Sequence, residues 1–344
     1  MNRHYFLSGN TSEGFYSFFD DLPRGKNMVY IIKGGPGTGK STTMKHLAQW
    51  AQEEGHEVEY IHCSSDPDSL DGVILPKKGI AMMDGTAPHV MDPKYPGARE
   101  MILDMGAFFD VSGLRANRQQ IIELGHSIAN NYDDAYRYLG AAGEIYRMLQ
   151  KRKDASLSDD WYGAAAKDIL RKHLLLHNIA GTGRVRGLFS QGITPKGVMS
   201  FADQMQMENA YVVPCDVGAD VTPLMQHLCT EALQRGFLVQ RCHDVLSPKH
   251  GINGIIVPEL QLSVFACHQY SPGEFEGAVV LDIAQTADET ELFTTLDDLV
   301  QSAVRQITSA KRTHDDLEKI YTENVDFAKM EQLREGVIAQ MKQL

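Results

Sequence analysis

The stretch that decides the fold reads Gly34-Gly35-Pro36-Gly37-Thr38-Gly39-Lys40-Ser41-Thr42. Its first eight residues satisfy G-x-x-x-x-G-K-[ST], and the flanks suit that pattern. An apolar run, Val29-Tyr30-Ile31-Ile32, enters, and a segment with Met44, Leu47 and Ala51 on one helical face leaves. Glycines let the backbone curl until its N–H groups converge on one point. The N-terminus of the following helix adds partial positive charge under the same point. The spacing therefore predicts a polyphosphate cradle over 34–42. Lys40 reaches the β- and γ-phosphates and the Ser41 hydroxyl is a ligand of Mg²⁺. The expected ligand is a nucleoside triphosphate, ATP with Mg²⁺.

Such a cradle needs a carboxylate at the end of a neighbouring strand to complete the Mg²⁺ shell. Ile80-Ala81-Met82-Met83-Asp84 fits, with Asp84 as metal ligand and catalytic acid; an aspartate opening a turn is the plain alternative. No glutamate follows Asp84, so the adjacent water-activating acid of ring-forming motor ATPases is missing. Between loop and strand lies an acidic turn, Asp66, Asp68 and Asp71, suited to orienting an attacking group or to Asx-turn chemistry around Pro67. Asp66 and His89 complete the catalytic candidates, whereas His62, at a strand end, reads as structural. A zinc site from His62, Cys63 and His89 lacks the usual ligand spacing. Arg24, Arg99, Arg115 and Arg118 are candidates for a charge-stabilising arginine.

The chain also repeats itself. Tyr30-Ile31-Ile32 lies over Tyr211-Val212-Val213 at an offset of 181, and at that offset Gly37, Met44, His46 and Leu47 meet Gly218, Met225, His227 and Leu228. His62 and Pro67 fall on His243 and Pro248; upstream, at 183, Phe6, Gly14 and Phe18 fall on Phe189, Gly197 and Phe201. This ordered series predicts two copies of one fold, 1–180 and 187–344, joined by Gly181-Thr182-Gly183. Each copy is expected to begin with a short aromatic helix (12–22 and 197–207). Strands alternating with helices then imply an α/β fold with a parallel sheet, closed by long helical segments at 114–153 and 159–177, and at 292–322 and 326–344. In the second copy Gly39 is replaced by Asp220, Lys40 by Val221 and Asp84 by Ala266, while the apolar framework persists. That half is expected to fold without hydrolysing nucleotide, with Asp220 standing at the helix N-terminus in place of a phosphate.

Composition bounds the rest. The chain has 344 residues, 43% hydrophobic and 23% charged, enough for two cores. A net charge of −12 argues against broad nucleic-acid binding, and the basic runs Lys151-Arg152-Lys153 and Arg184-Val185-Arg186 read as a solvated helix end and an exposed connection. No apolar run is long enough to cross a bilayer and the N-terminus lacks a secretory pattern. Five dispersed cysteines read as reduced thiols, so a cytoplasmic protein is expected.

On its loop, the sequence resembles the P-loop NTPase superfamily, 34–42 being similar to the Walker A motif of ATP-binding members. The runs His62-Cys63-Ser64-Ser65-Asp66-Pro67-Asp68-Ser69-Leu70-Asp71-Gly72, Asp84-Gly85-Thr86-Ala87-Pro88-His89 and Gly192-Ile193-Thr194-Pro195-Lys196-Gly197 are similar to a bacterial family of tandem P-loop proteins. The resemblance implies two tandem P-loop NTPase-like domains and an ATPase-like activity. Members often carry an intact loop in both halves, and this sequence departs from that. Three functions remain open: Mg-dependent ATP hydrolysis, a small-molecule or nucleotide kinase, and a non-enzymatic nucleotide-gated interaction protein.

Overall fold

The computed structural model describes residues 2–154, 159–175, 177–283 and 288–342. The chain begins with β1 (Arg3–Tyr5), β2 (Ser8–Thr11) and β3 (Gly14–Ser17). Next come β4 (Met28–Lys33), α1 (Lys40–Glu53), β5 (Glu59–His62), β6 (Leu70–Leu75), β7 (Ile80–Asp84) and β8 (Glu100–Asp104). The helices α2 (Val111–Ala116), α3 (Arg118–Asp154) and α4 (Asp159–Ile169) follow. The second series comprises β9 (Arg184–Leu188), β10 (Gln191–Thr194), β11 (Gly197–Ser200), β12 (Asn209–Pro214), α5 (Thr222–Gln234), β13 (Leu238–Asp244), β14 (Ser247–Val257), β15 (Leu262–Cys267) and β16 (Val279–Val280). It closes with α6 (Thr290–Thr322) and α7 (Phe327–Met341). Leu176 and residues 343–344, inside two of the expected helical segments, lie outside the described residues.

Two compact units are present, and they cut the chain differently from the sequence halves 1–180 and 187–344. One unit takes the chain up to Arg3, residues 19–133 and residues from 306 onward; the other takes 4–18 and 134–305.

In the first unit the sheet runs β5-β6-β7-β4-β8, with Arg3 of β1 along its outer edge, its amide donating to the Val58 carbonyl at 3.0 Å. β4 is parallel to β7 and β8, but β6 is antiparallel to both β5 and β7. The expectation of a wholly parallel sheet is therefore corrected to a mixed one. The cause is local: β5, β6 and β7 are joined by a loop (63–69) and a tight turn (76–79), too short for the crossover that parallel neighbours require. Gly79 makes the second turn at φ +66°. Against one sheet face packs α1, whose Met44, Leu47, Ala48 and Ala51 recur at helical spacing and are buried with Tyr30, Ile32, Val73 and Met82. Burial of each large side chain here stabilises the unit by about 1.5–3 kcal/mol. Met330, Val337 and Met341 of α7 join the same core.

The second unit's sheet, read from β9, runs β9-β13-β14-β15-β12-β16. Its senses repeat those of the first: β12 is parallel to β15 and β16, and β14 is antiparallel to both neighbours. α5 buries Leu224, Met225, Leu228 and Ala232 against it, with Ala166, Ile169 and Leu170 from the α4 segment in the same core. Leu139, Ala142, Tyr146 and Leu149 of α3 are also buried in this unit.

The segments 12–22 and 197–207, expected to be helical, are chiefly strand and turn. Thr11 and Thr194 each accept the amide two residues on, at 3.1 Å, and donate to the carbonyl of Gly14 or Gly197. Those glycines take φ +86° and +97°, which closes the hairpins β2–β3 and β10–β11. Turn chemistry overrides the aromatic spacing, leaving only the 3₁₀ turns Phe19–Asp21 and Asp203–Met205. The two hairpins are tied at their bases, where Phe6 and Phe189 exchange backbone hydrogen bonds of 2.9 Å each.

Two further expectations change. Arg184-Val185-Arg186 is a strand, β9, paired with β13, because its backbone groups find partners at the sheet edge. Lys153, expected on a solvated helix end, is 5% exposed and bound to Asp216 at 3.0 Å. None of the five cysteines forms a disulfide. No helix among the described residues is long and apolar enough to cross a membrane.

Candidate functional site

The loop expected to hold phosphate runs directly from the end of β4 to the start of α1. Gly37 and Gly39 take φ +65° and +80°, a region other residues enter only with strain, and Gly39 caps α1 in that conformation. Thr38 is buried and ties the curl by donating to the Gly35 carbonyl at 2.9 Å. Lys40 Nζ turns back to the carbonyls of Gly35 (2.8 Å) and Gly34 (3.4 Å), and stands 3.7 Å from Asp84 Oδ2. Ser41 Oγ accepts the Leu70 amide at 2.9 Å. Thr42, next on the helix, is exposed.

Asp84 reaches this place because β7 lies beside β4 with Asp84 opposite Ile32. One carboxylate oxygen accepts the Thr86 amide at 2.8 Å and the Thr86 hydroxyl; the other faces Lys40. Asp84 thus opens a turn and presents a charge to the loop at once.

The acidic turn divides. Asp66 accepts the Ser69 hydroxyl at 3.0 Å and pairs with Lys311 at 3.4 Å. The Asp68 backbone carbonyl accepts Lys45 Nζ. Asp71, which opens inward from β6, is buried and lies 3.1 Å from His89 Nε2. Burial opposes a charge on His89, but Asp71, by charge and hydrogen bond, and Asp84, by charge, outweigh it and hold the imidazole pKa above its ordinary value. His89 also packs on Phe19, ring centres 4.5 Å apart. His62, read from sequence as structural, has its Nδ1 2.9 Å from the Pro67 carbonyl, and burial lowers its pKa. His243 repeats that contact with Pro248 at 2.7 Å.

Burial pushes the Cys63 thiol well up, against a metal-ligating thiolate. Among the described residues the three-donor group close enough for one ion is His314, Asp315 and Glu318, not His62, Cys63 and His89.

Several residues at the loop lie beyond the sequence candidates. Glu318 Oε1 accepts the Gly37 amide at 3.1 Å. The Tyr321 ring and the Thr322 methyl pack so close to Gly35 and Gly37 that a β-carbon there would meet them at 2.8 and 2.7 Å. Arg334 of α7, 9% exposed, lies beside Gly39 and bonds Glu331 at 2.6 Å. Of the arginines named from sequence, Arg24 pairs with Asp21 and Arg99 with Glu100. Nothing local in the sequence marks Glu318 or Arg334, since each stands some 280–300 positions from the loop it touches.

In the second unit the corresponding segment, 214–222, has no lysine. Asp220 Oδ1 accepts the Thr222 amide at 2.9 Å, and Thr222 Oγ1 accepts the Ile252 amide at 3.2 Å, the counterpart of Ser41 and Leu70. Asp220, Thr222, Arg241, His243 and Lys249 line a cavity of about 330 Å³.

A family model described as Novel STAND NTPase 3 matches residues 23–86, from just before β4 to just past Asp84. No curated protein and no solved structure matches the chain. The stretch that carries the loop, α1 and Asp84 is therefore similar to a nucleotide-binding NTPase of the P-loop kind.

Proposed function

We propose that the chain is a Mg²⁺-dependent ATPase whose working site is residues 34–42 with Asp84. The observation that carries this reading is the strand–loop–helix passage in which Gly37 and Gly39 take positive φ and Lys40 faces Asp84 across 3.7 Å. The amides of 34–41 bind the polyphosphate, and Lys40 leaves its loop carbonyls to neutralise the β- and γ-phosphates. Ser41 and Asp84 offer hard oxygen donors of the kind Mg²⁺ takes. Bound there, Mg²⁺ would supply charge neutralisation to the transferring phosphoryl group. Catalysis then rests on positioning and fixed charge. Arg334 supplies a buried cation near the loop.

The matching strand orders of the two sheets, their senses and the repeated Ser41–Leu70 and Thr222–Ile252 contacts support internal duplication, with 1–180 and 187–344 as the duplicated lengths. The second copy is read as nucleotide-free, Asp220 holding its helix N-terminus.

A second reading, phosphoryl transfer to a hydroxyl acceptor, draws on the buried Asp71–His89 pair, which could take a proton near Asp84. ATP consumption strictly dependent on an added acceptor would select it. The primary test is a screen of nucleotides by thermal shift with and without Mg²⁺, followed by phosphate release from the best binder. Lys40→Ala should abolish turnover with the fold intact; undiminished phosphate release from that variant would refute the assignment.

A further inference from the structure

The amides of the 34–41 loop are donors arranged for an anion, and one of them already holds one. Gly37 N–H donates to Glu318 Oε1 at 3.1 Å. Around this contact the α6 residues 318–322 cover the loop: the Tyr321 ring lies on Gly35, and the Thr322 methyl and the Glu318 backbone carbonyl lie on Gly37. Lys40, the one side-chain cation of the loop, is turned back onto the Gly34 and Gly35 carbonyls.

Independent contacts hold this helical turn in place. Tyr321 packs on Phe109 with ring centres 5.6 Å apart. The Asp110 amide donates to the Asn324 carbonyl at 2.8 Å, and the Asp326 amide to the Phe108 carbonyl at 3.0 Å. Lys311, two turns earlier, pairs with Asp66 at 3.4 Å. Beyond the turn, Met330, Val337 and Met341 are anchored in the core beneath α1.

A carboxylate and a triphosphate are both anions that need the same amide donors, and they cannot share them. We propose that Glu318 is a built-in competitor for the triphosphate, so that nucleotide binds only when residues 314–322 leave the loop. This rests on the nucleotide-site reading above and adds its regulation. Apparent affinity is then the intrinsic affinity reduced by the fraction of molecules with the loop uncovered. By reciprocity, anything that draws α6 away raises affinity for nucleotide, and nucleotide favours the uncovered state by the same factor.

Calorimetry on the full chain, with a non-hydrolysable ATP analogue and Mg²⁺, tests this on wild type, Glu318→Ala, Glu318→Gln and Glu335→Gln. Glu335 is an exposed α7 acid and controls for net charge. Glu318→Ala should bind about tenfold or more tightly than wild type, Glu318→Gln should fall between them, and Glu335→Gln should match wild type. Equal or weaker binding by Glu318→Ala, or lost turnover at unchanged affinity in Glu318→Gln, would overturn the competitor role while leaving the nucleotide site standing. If neither wild type nor any variant binds nucleotide, the site reading fails and this inference with it. Should Glu318→Ala not fold, hydrogen exchange on wild type decides the matter: amides of 314–322 should exchange faster with nucleotide bound, and unchanged exchange would overturn the proposal.

Discussion

The Lys40 ammonium stands 3.7 Å from Asp84 Oδ2, and both side chains are largely buried, at 15% and 14% exposure. Lys40 opens α1, just past β4, and Asp84 ends β7, the strand paired with β4, some forty residues away in sequence. Each side chain has a second attachment, Lys40 to the Gly35 carbonyl and Asp84 to the Thr86 amide. That tether fixes the position of each charge without relying on the other.

Asp84→Asn therefore separates charge from geometry. The amide oxygen can still accept from Thr86, so the turn persists, but the charge facing Lys40 is gone. Turnover should fall about a hundredfold or more, the order seen when one preorganised polar group is removed from an active site. The melting temperature should change little. Turnover within about twofold of wild type, measured by phosphate release, would remove Asp84 from the site.

The Asp71–His89 pair sets a pH dependence. Its folded-state imidazole pKa is raised above the ordinary value of 6.5, with burial opposing and Asp71 and Asp84 favouring the charged form. A group raised in this way contributes stability fully below its unfolded pKa and loses it as pH rises through the folded pKa. Asp71→Asn should thus lower the melting temperature most below about pH 6.5, and the gap from wild type should close at higher pH. Thermal unfolding from about pH 5 to about pH 9 reads this directly. A gap that is flat, or that widens with pH, would contradict the assignment.

Much of the candidate site was legible because it is contiguous. The run 34–42 carries its own strand, turn and helix, and Asp84 ends an apolar run, which marks a strand terminus. β6 was not legible as a separate strand. Leu70-Asp71-Gly72-Val73-Ile74-Leu75 follows an acidic turn without a helix between, so a βαβ reading absorbed it into a loop. The hairpins were missed for the opposite reason, since Phe15, Phe18 and Phe19 suggest helical spacing while Thr11 and Gly14 fix a turn. Glu318 and Arg334 approach the loop through tertiary packing of α6 and α7, and no local pattern encodes a contact over such a separation. The spacing that aligns His62 with His243 also aligns two like contacts, His62 with the Pro67 carbonyl and His243 with the Pro248 carbonyl.

In the second unit one buried carboxyl, Asp244, takes a hydrogen bond from a tyrosine hydroxyl. Tyr146 OH donates to Asp244 Oδ2 at 2.5 Å, both residues being buried. Burial raises the Asp244 pKa, while Tyr146, the Leu246 amide and Asn253 pull it down. Tyr146→Phe removes a donor and should cost about 1–3 kcal/mol. Because the folded pKa moves further up, the penalty attaches to the ionised form: in urea unfolding it should be larger at a pH above the folded pKa than at a pH below it. The same loss at both pH values would mean that packing, not charge, accounts for it.

Asp220 offers the sharpest contrast between the two halves. It stands where Gly39 stands in the first, and its carboxylate takes the Thr222 amide at 2.9 Å, a donor at the start of α5. Asp220→Ala should reduce stability by about 0.5–2 kcal/mol, the range for losing a side-chain acceptor at a helix N-terminus. On the proposed function it should not open a second nucleotide site, because Val221 and Ala266 stand where Lys40 and Asp84 stand in the first half. Calorimetric stoichiometry should therefore stay at one nucleotide per chain in wild type and variant alike. Two sites of similar affinity in either protein would show that the second loop binds phosphate by its backbone alone, and the division of labour between the halves would have to be abandoned.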